Sequence, residues 1–431
     1  MEKPSKIHQQ NRHNGRLKSC AGIKSVFRTA SMRVAWFFEN RPTVRAVVKA
    51  ACITALALML SSLLVSPFTA STSMLMSSPE QSDFRFSDIF AQVADSRPVR
   101  QLDPNIVIVD IANSNRSEIA QTLMEISLCN PKAVAVDVLF AQPHDDDTDL
   151  LDAISSVPGI IMAYSVEADN NGGKTFHTKD KPFFMDSLRA PAVVYAATNL
   201  PTEDSGNRGR VRQYAVGFPT AEGDTVDSFA AAIARAFDPA SLATLRHKDA
   251  ERGYVGYHSR EFTVIPSGQL LDRASELDGK IAIVGSLTDA GDMHATPINS
   301  YFAGVMIHAY SLATILDGTW YTDAPVYVDY ICAILICFFF VFLCLTMKHP
   351  SRGMLIRVLQ VVLLYATVRI GYSLYVDSNV ICSFSNTILM IAFGLFAVDL
   401  WNGVTALGQP LKSKLIILYS KIAPKQCEEF S

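Results

Sequence analysis

Six side chains carry most of the chemistry this sequence offers: Asp110, Asp137, Asp289, Asp292, His294 and His308. Asp110 sits near the end of the apolar run NIVIVDI at 105–111. Asp137 lies in AVAVDVLF at 133–140, and the other four fall in GKIAIVGSLTDAGDMHATPINSYFAGVMIHAYSLATILDG at 279–318. Asp110, Asp137 and Asp292 each end or follow a predicted strand, and ligands of open parallel sheets bind outside the carboxyl ends of strands. If those ends share one edge, the acids line a common cleft with Asp289, His294 and His308. Such a set suits a divalent cation, or a cationic or hydroxylated small molecule. The competing assignment is structural, with the aspartates capping helices or fixing loops and His308 packed within a helix. No GxSxG elbow, HExxH, P-loop or strand-borne GxGxxG occurs, so the chain reads as a non-enzyme and no cofactor is implied. Asp145, Asp147 and Asp149 begin like a calcium loop, but Leu150 and Ser156 stand where that loop needs Gly and Glu. They read instead as the acidic start of a helix over 148–156. Arg208, Arg210 and Arg212 alternate along a predicted strand and form either an anion contact or a solvated face.

The elements that must position these residues alternate between strands and helices. The β-branched runs at 105–111, 133–140 and 280–285 read as strands buried on both faces. Further strands are predicted at 160–166, 192–197 and 209–218, with an edge hairpin at 254–265. Helical spacing marks 84–93, 117–128, 228–237 and 303–316. Asn170-Asn171-Gly172-Gly173 reads as a turn and 201–207 as a connection. The class is α/β, a mostly parallel or mixed sheet flanked by helices, and it occupies residues 68–324.

Around that domain lie four hydrophobic stretches, one before it and three after. The first, 50–66, is 17 uncharged residues long, near the lower limit for a span. Its 49-residue basic lead is far longer than a cleaved signal's n-region, which favours an uncleaved anchor. The others run over 326–345, 354–375 and 380–398. Lys348, Arg352 and Arg357 follow the second stretch, and Lys412, Lys414, Lys421 and Lys425 follow the last. Eleven Lys or Arg in residues 1–49 place the N-terminus on the same side as those groups. The resulting scheme is a basic cytoplasmic segment at 1–49, a span at 50–67, an extracytoplasmic domain at 68–324, spans at 325–346, 354–376 and 380–400, and a cytoplasmic tail at 401–431. Within the third span Arg369 is an intramembrane charge, snorkelling outward or paired with Asp329. Residues 411–423 read as a short basic amphipathic helix. Gly394 is the only Gly in the heart of the last span.

With a net charge of −3 over 431 residues, nothing draws the chain as a whole to nucleic acid, and the basic arm is explained by the bilayer. Of eight Cys only Cys129 falls in the exported domain, so that domain holds no internal disulfide. A bacterial inner membrane with a periplasmic domain fits this usage.

The exported domain resembles the second class of CHASE domains, the cyclase- and histidine-kinase-associated sensory extracellular domains. The resemblance is carried by NIVIVDI, by AVAVDVLFAQPHDDDTDLLDAI, by Asp204 with Gly209-x-x-Arg212, by SFAAAIARAF, and above all by GKIAIVGSLTDAGDMHATP and GVMIHAYSLATIL. It covers most of 85–318 and extends to the arrangement of one span before and three after. The Trp-Pro-rich segment common after the family's first strand is missing. The resemblance implies a sensor of an unidentified extracytoplasmic ligand that signals through its spans to kinase, cyclase or diguanylate-type modules, commonly as a homodimer. About 30 residues follow Trp401, too few for such a module. The expectation is therefore a stand-alone sensor acting through a separately encoded cytoplasmic or membrane signalling protein. The rival expectations are an assembly component of an envelope complex and a small metal-dependent ectoenzyme.

Overall fold

The computed structural model describes residues 41–75, 85–96, 100–145, 147–169, 175–188, 192–201, 209–246, 252–257, 260–347, 352–382 and 384–422. Side chains are described throughout these except at 63–75, 86, 243–246, 352 and 409–422. The basic arm up to residue 40, the 170–173 turn, most of the 201–207 connection, Arg208 and Lys348 lie outside the described residues. The chain divides into two compact units, one of residues 68–325 with 368–383, the other of the remaining helical segments.

The first unit is built on six parallel strands: β1 (Gln101–Asp110), β2 (Ala133–Val136), β3 (Ile160–Tyr164), β4 (Val193–Ala197), β5 (Arg260–Pro266) and β6 (Ile281–Gly285). Their order across the sheet is β5-β1-β6-β2-β3-β4. Period-two alternation sends side chains of every central strand into two cores. On one face Ile106, Ile108, Ala135, Ile161 and Ile283 share a core with α5 (Phe229–Phe237), with Leu242 of α6 (Pro239–Arg246) and with α7 (Gly304–Leu316). On the other, Val107, Val109, Val136, Met162 and Val284 pack on α3 (Arg116–Leu128) and α4 (Asp147–Ser156). The result is a helix–sheet–helix sandwich, the mostly parallel form of the α/β expectation. Local signals agree with it. Asn115 accepts the Glu118 N–H at 3.0 Å while the Glu118 carboxylate accepts the Asn115 N–H at 2.8 Å, a complete capping box for α3.

Several predicted elements change. The 254–265 hairpin does not form. Residues 252–254 pair antiparallel with 213–215, and β5 instead becomes the parallel edge strand beside β1. The single strand expected over 209–218 is two short ones, 213–215 and 217–219, both outside the main sheet. β2 stops at Val136, so Asp137 begins the loop rather than lying within the strand. Val380 and Ile381 were expected to start a span, yet they pair with Thr322 and Asp323 as a two-residue parallel bridge. β-branched residues satisfy either reading, and the open backbone of 322–323 decides it.

Helix α2 (Phe86–Asp95) belongs to this unit. Phe90, Ala91 and Ala94 pack with Tyr321 and with Tyr375, near the end of α9 (Arg352–Asp377). The rings of Tyr321 and Tyr375 stack with centroids 5.3 Å apart.

Four helices are long and apolar enough to cross a membrane, over Pro42–Ser62, Val326–Thr346, Gly353–Asp377 and Ser385–Gly408. They lie within α1 (Pro42–Leu75), α8 (Val326–Thr346), α9 and α10 (Ser385–Ile422). In the second unit Ala50, Ile53 and Ala57 of α1 pack with Ala333, Cys337 and Val341 of α8 and with Met390 and Ala397 of α10. Gly394 lets α10 approach α8: a Cβ there would lie 3.4 Å from Cys337 Sγ and 3.5 Å from Phe340 Cδ1. Asp329 stands in the first turn of α8. Its carboxylate caps α10, accepting the N–H groups of Asn386 and Thr387 at 2.9 and 3.0 Å. Arg369 lies 5.4 Å from the ring centroid of Tyr372. The separate helix expected at 411–423 is the continuous end of α10.

Candidate functional site

The strand order decides which residues meet. β1 and β2 are consecutive in the chain, yet β6 lies between them. Gly285 at the end of β6 is therefore flanked by Asp110 on one side and Asp137 on the other. β1 leads into α3 on one face and β6 leads to α7 on the opposite face. Departure to opposite faces opens the sheet's carboxyl edge at this point.

Four of the six sequence-selected side chains converge here: Asp137, Asp292, His294 and His308. Asp137 and His308 form the floor, with side chains 10% and 7% exposed, and His308 Nε2 lies 3.9 Å from Asp137 Oδ2. That separation is too long for a hydrogen bond. Asp292 and His294 form the rim, with side chains 44% and 31% exposed and His294 Nε2 at 3.1 Å from Asp292 Oδ1. Asp292 rests on the first residue of α7, since a Cβ on Gly304 would stand 2.4 Å from its Oδ2. A carboxylate at a helix N-terminus is electrostatically favoured. Gly285 closes the floor, where a Cβ would come within 2.8 Å of Val305 Cγ2 and 3.5 Å of Asp137 Cβ. The ring of Phe229 meets His308 edge-on at 5.1 Å.

Burial dominates the electrostatics of the floor. It drives the Asp137 carboxyl well above the usual carboxylate range, and the nearby negative charge of Asp292 adds to the rise. Burial likewise lowers His308 to about 4; His294 pushes the same way, while Asp292 and a backbone hydrogen bond to Thr198 oppose it. His308 is therefore a neutral imidazole at pH 7.

The other two candidates have local tasks. Asp110 Oδ1 accepts the backbone N–H groups of Ala112 at 2.9 Å and Leu287 at 3.1 Å, tying the β1 loop to the β6 loop. Asp289 accepts the Gly291 N–H at 2.8 Å and caps the single turn 290–292. Among the described residues, no three His, Cys, Asp or Glu side chains gather closely enough to hold a metal ion.

Downstream of the rim, the chain is gripped at three successive carbonyls. Ala295 O accepts the Val211 N–H at 2.7 Å, Thr296 O accepts Arg210 Nη1 at 2.6 Å, and Pro297 O accepts Gln92 Nε2 at 2.9 Å. The third grip belongs to α2. α2 is itself anchored by a buried ion pair in which Arg212 Nε and Nη2 donate to Asp88 Oδ1 and Oδ2, both at 2.8 Å. These side chains are 4% and 2% exposed, so Arg212 does not belong to the solvated stripe. Sequence reading missed Asp88, Gln92 and Arg212 as a group. No local pattern announced them, since Arg212 alternates with Arg208 and Arg210 and its partner Asp88 lies 124 residues away.

A family model for the CHASE2 domain matches residues 60–346, well over half of the chain. The chain belongs to the CHASE2 family. CHASE2 domains are a sensory class rather than a catalytic one, and with four apolar helices this is a membrane sensory protein. No curated protein and no solved structure matches the chain.

Proposed function

We propose that this CHASE2 protein detects an extracytoplasmic signal at the Asp137–Asp292–His294–His308 recess and relays it to a cytoplasmic or membrane partner. The observation that carries the reading is the run 292–297. It begins in the recess at Asp292 and ends, five residues later, hydrogen-bonded to Gln92 of α2. α2 follows α1 in the chain, and its apolar face packs on Tyr321, five residues before α8, and on Tyr375 of α9. A shift of the rim thus reaches segments covalently continuous with three apolar helices. In this reading the protein spans the inner membrane of a bacterial cell four times, residues 68–324 are periplasmic, and both termini are cytoplasmic. Positive charge at 41–49 and at 352–357 supports that orientation.

Hydrogen exchange of the full-length protein in mild detergent tests the relay. Asp292→Ala should increase exchange over 86–95 as well as over 286–305, and Gln92→Leu should weaken the first change while leaving the second. Change confined to 286–305 in the Asp292→Ala protein would refute the relay. For topology, an impermeant maleimide should label Glu222→Cys, at an exposed turn, in intact spheroplasts. Labelling that requires lysis would reverse the orientation.

A further inference from the structure

The carboxyl edge of the sheet carries a second opening, at the end of β3. Tyr164, the last residue of β3, lines a cavity of about 160 Å³ together with two short hairpins, 166–168 paired with 176–178 and 217–219 paired with 225–227. Ligands of open parallel sheets bind along this edge. The walls are held by contacts of their own. The Asn199 side chain accepts the Val166 N–H at 2.7 Å and donates to the Val166 carbonyl at 2.8 Å. The rings of Phe176 and Phe218 meet edge-on with centroids 5.2 Å apart, and Val166 and Val226 complete the apolar part of the lining. One polar group of this lining has no partner. Tyr164 is 3% exposed, and among the described residues its hydroxyl makes no hydrogen bond. A buried hydroxyl left unpaired costs free energy, and native structures keep few of them.

Size, shape and charge define what would fill the space. A cavity of about 150 Å³ is enough to hold benzene, so this one fits a single six-membered ring with a small substituent. A third ring beside Phe176 and Phe218 extends their edge-to-face arrangement. Burial pushes the Tyr164 hydroxyl up to about 12, with the charge of Asp227 adding to the rise, so at neutral pH it is an intact phenol able to donate or accept. No Lys or Arg lines the cavity. Its ionisable side chains besides Tyr164 are Glu222, on an exposed turn, and His177, whose Nδ1 lies 2.7 Å from Asp169 Oδ1. An anion would therefore meet negative charge and no Lys or Arg, while a cation would leave water to face only the solvent-exposed Glu222. The arrangement selects a neutral ligand.

We propose that this cavity binds a small neutral aromatic alcohol of the phenol class, its ring against Phe176 and Phe218 and its hydroxyl hydrogen-bonded to that of Tyr164. The site is additional to the Asp137–His308 recess and does not rest on it. The two are neighbours through one residue: the Tyr164 carbonyl accepts the Thr198 N–H at 3.0 Å, and the Thr198 backbone is a hydrogen-bond partner of His308.

The test is fluorine NMR of para-fluorophenol titrated into the full-length protein in mild detergent at neutral pH, with protein-free micelles as reference. A saturable, protein-dependent bound signal is expected. Unlabelled phenol should displace it, cyclohexanol should do so far less well, and para-fluorobenzoate, an anion of similar size, should give no bound signal. Val226→Phe fills the cavity from a half-buried position and should abolish binding. Tyr164→Phe keeps the ring and removes the hydroxyl, and should weaken binding by about three- to tenfold. That variant loses a single oxygen and keeps the test valid should Val226→Phe fail to fold. Absence of a saturable signal in the wild-type protein would overturn the proposal and leave the cavity to water. Full binding retained by Val226→Phe, unchanged affinity in Tyr164→Phe, equal displacement by cyclohexanol, or equal binding of para-fluorobenzoate would each overturn it as well. The readout involves neither Asp292 nor Gln92. Loss of the relay in the hydrogen-exchange experiment would therefore leave this site standing, and failure here would leave the relay.

Discussion

Removing Asp88 should be among the most damaging single substitutions in the sensory unit. Asp88 is 2% exposed and Arg212 4%, and two charge-assisted bonds of 2.8 Å join them. Asp88 Oδ2 also accepts the Arg85 N–H at 3.0 Å, capping α2. Asp88→Ala thus takes the bidentate carboxylate from a buried guanidinium and removes a cap. Breaking a buried pair on one side costs about 3–5 kcal/mol, mainly through the charge left unpaired. The cap contributes about 1 kcal/mol, part of the same loss. At about 2–4 °C per kcal/mol for a unit of this size, the melting temperature should fall by about 6–20 °C. The double variant Asp88→Leu/Arg212→Met removes both charges and should recover most of that loss, since apolar replacement of a buried pair is often neutral. The assay is a double-mutant cycle on the full-length protein in detergent, read by thermal unfolding and by hydrogen exchange over 86–95. A loss below about 1 kcal/mol for Asp88→Ala, the range of exposed pairs, would refute the reasoning. So would a double variant as unstable as the single one.

Other expectations follow from the same geometry. Gly285→Ala places its Cβ against the β-branched Val305 on a buried helix and should cost about 1–3 kcal/mol by thermal unfolding. Gly304→Ala meets only the end of the half-exposed Asp292 side chain, which can swing away, so thermal unfolding should show little change in stability. Asp137, raised on folding, contributes stability that is present below its unfolded value of 3.8 and lost as pH rises through its higher folded value. Asp137→Asn should therefore gain stability relative to wild type as pH increases from about 4 to 8, seen in parallel melting curves. His308 runs the other way: lowered to about 4 from 6.5, it contributes stability that is full above 6.5 and lost as pH falls toward 4. His308→Gln should flatten that acid limb. In the helical unit Asp329→Ala removes the cap of α10 and should cost about 0.5–2 kcal/mol, visible as faster exchange at 385–388.

The sheet was legible because its strands are pure apolar runs, and the alternation inside them has one consistent three-layer solution. The recess was legible for the same reason. Asp137 and Asp292 follow the ends of β2 and β6, which are adjacent in the sheet, whereas Asp110, placed by the same rule, ties two loops together instead. What a single sequence hides is non-local pairing. β5 was read as half a hairpin because residues 252–254 are its near neighbours, whereas its partner β1 begins more than 150 residues earlier. Arg212 was read within a solvated stripe because its partner Asp88 lies 124 residues away on a helix beside the first apolar segment. Asp329 invited pairing with Arg369 as the nearby opposite charge. Helix α10 instead offers bare N–H groups, which a carboxylate satisfies in a geometry no charge pattern announces.

These magnitudes constrain how a signal leaves the recess. A neutral side chain–backbone hydrogen bond contributes a net ~0.5–1.5 kcal/mol. If Gln92 to Pro297 were the whole connection, breaking it would bias α2 by roughly two- to tenfold, the low end of coupling between sites. The neighbouring grips enlarge that limit, because Val211 and Arg210 hold the two preceding carbonyls and Arg212 follows in the same strand-like run. Movement of 295–297 therefore drags on the segment carrying Arg212, and Arg212 holds Asp88 of α2 through a pair several times stronger than the Gln92 bond. Gln92→Leu should accordingly weaken the response of 86–95 to Asp292→Ala, and the Asp88→Leu/Arg212→Met protein should lose the larger share of it while remaining folded. If the double variant transmitted the full response, the ion pair would be an anchor with no part in relay, and the Gln92 bond would be the sole route from recess to α2.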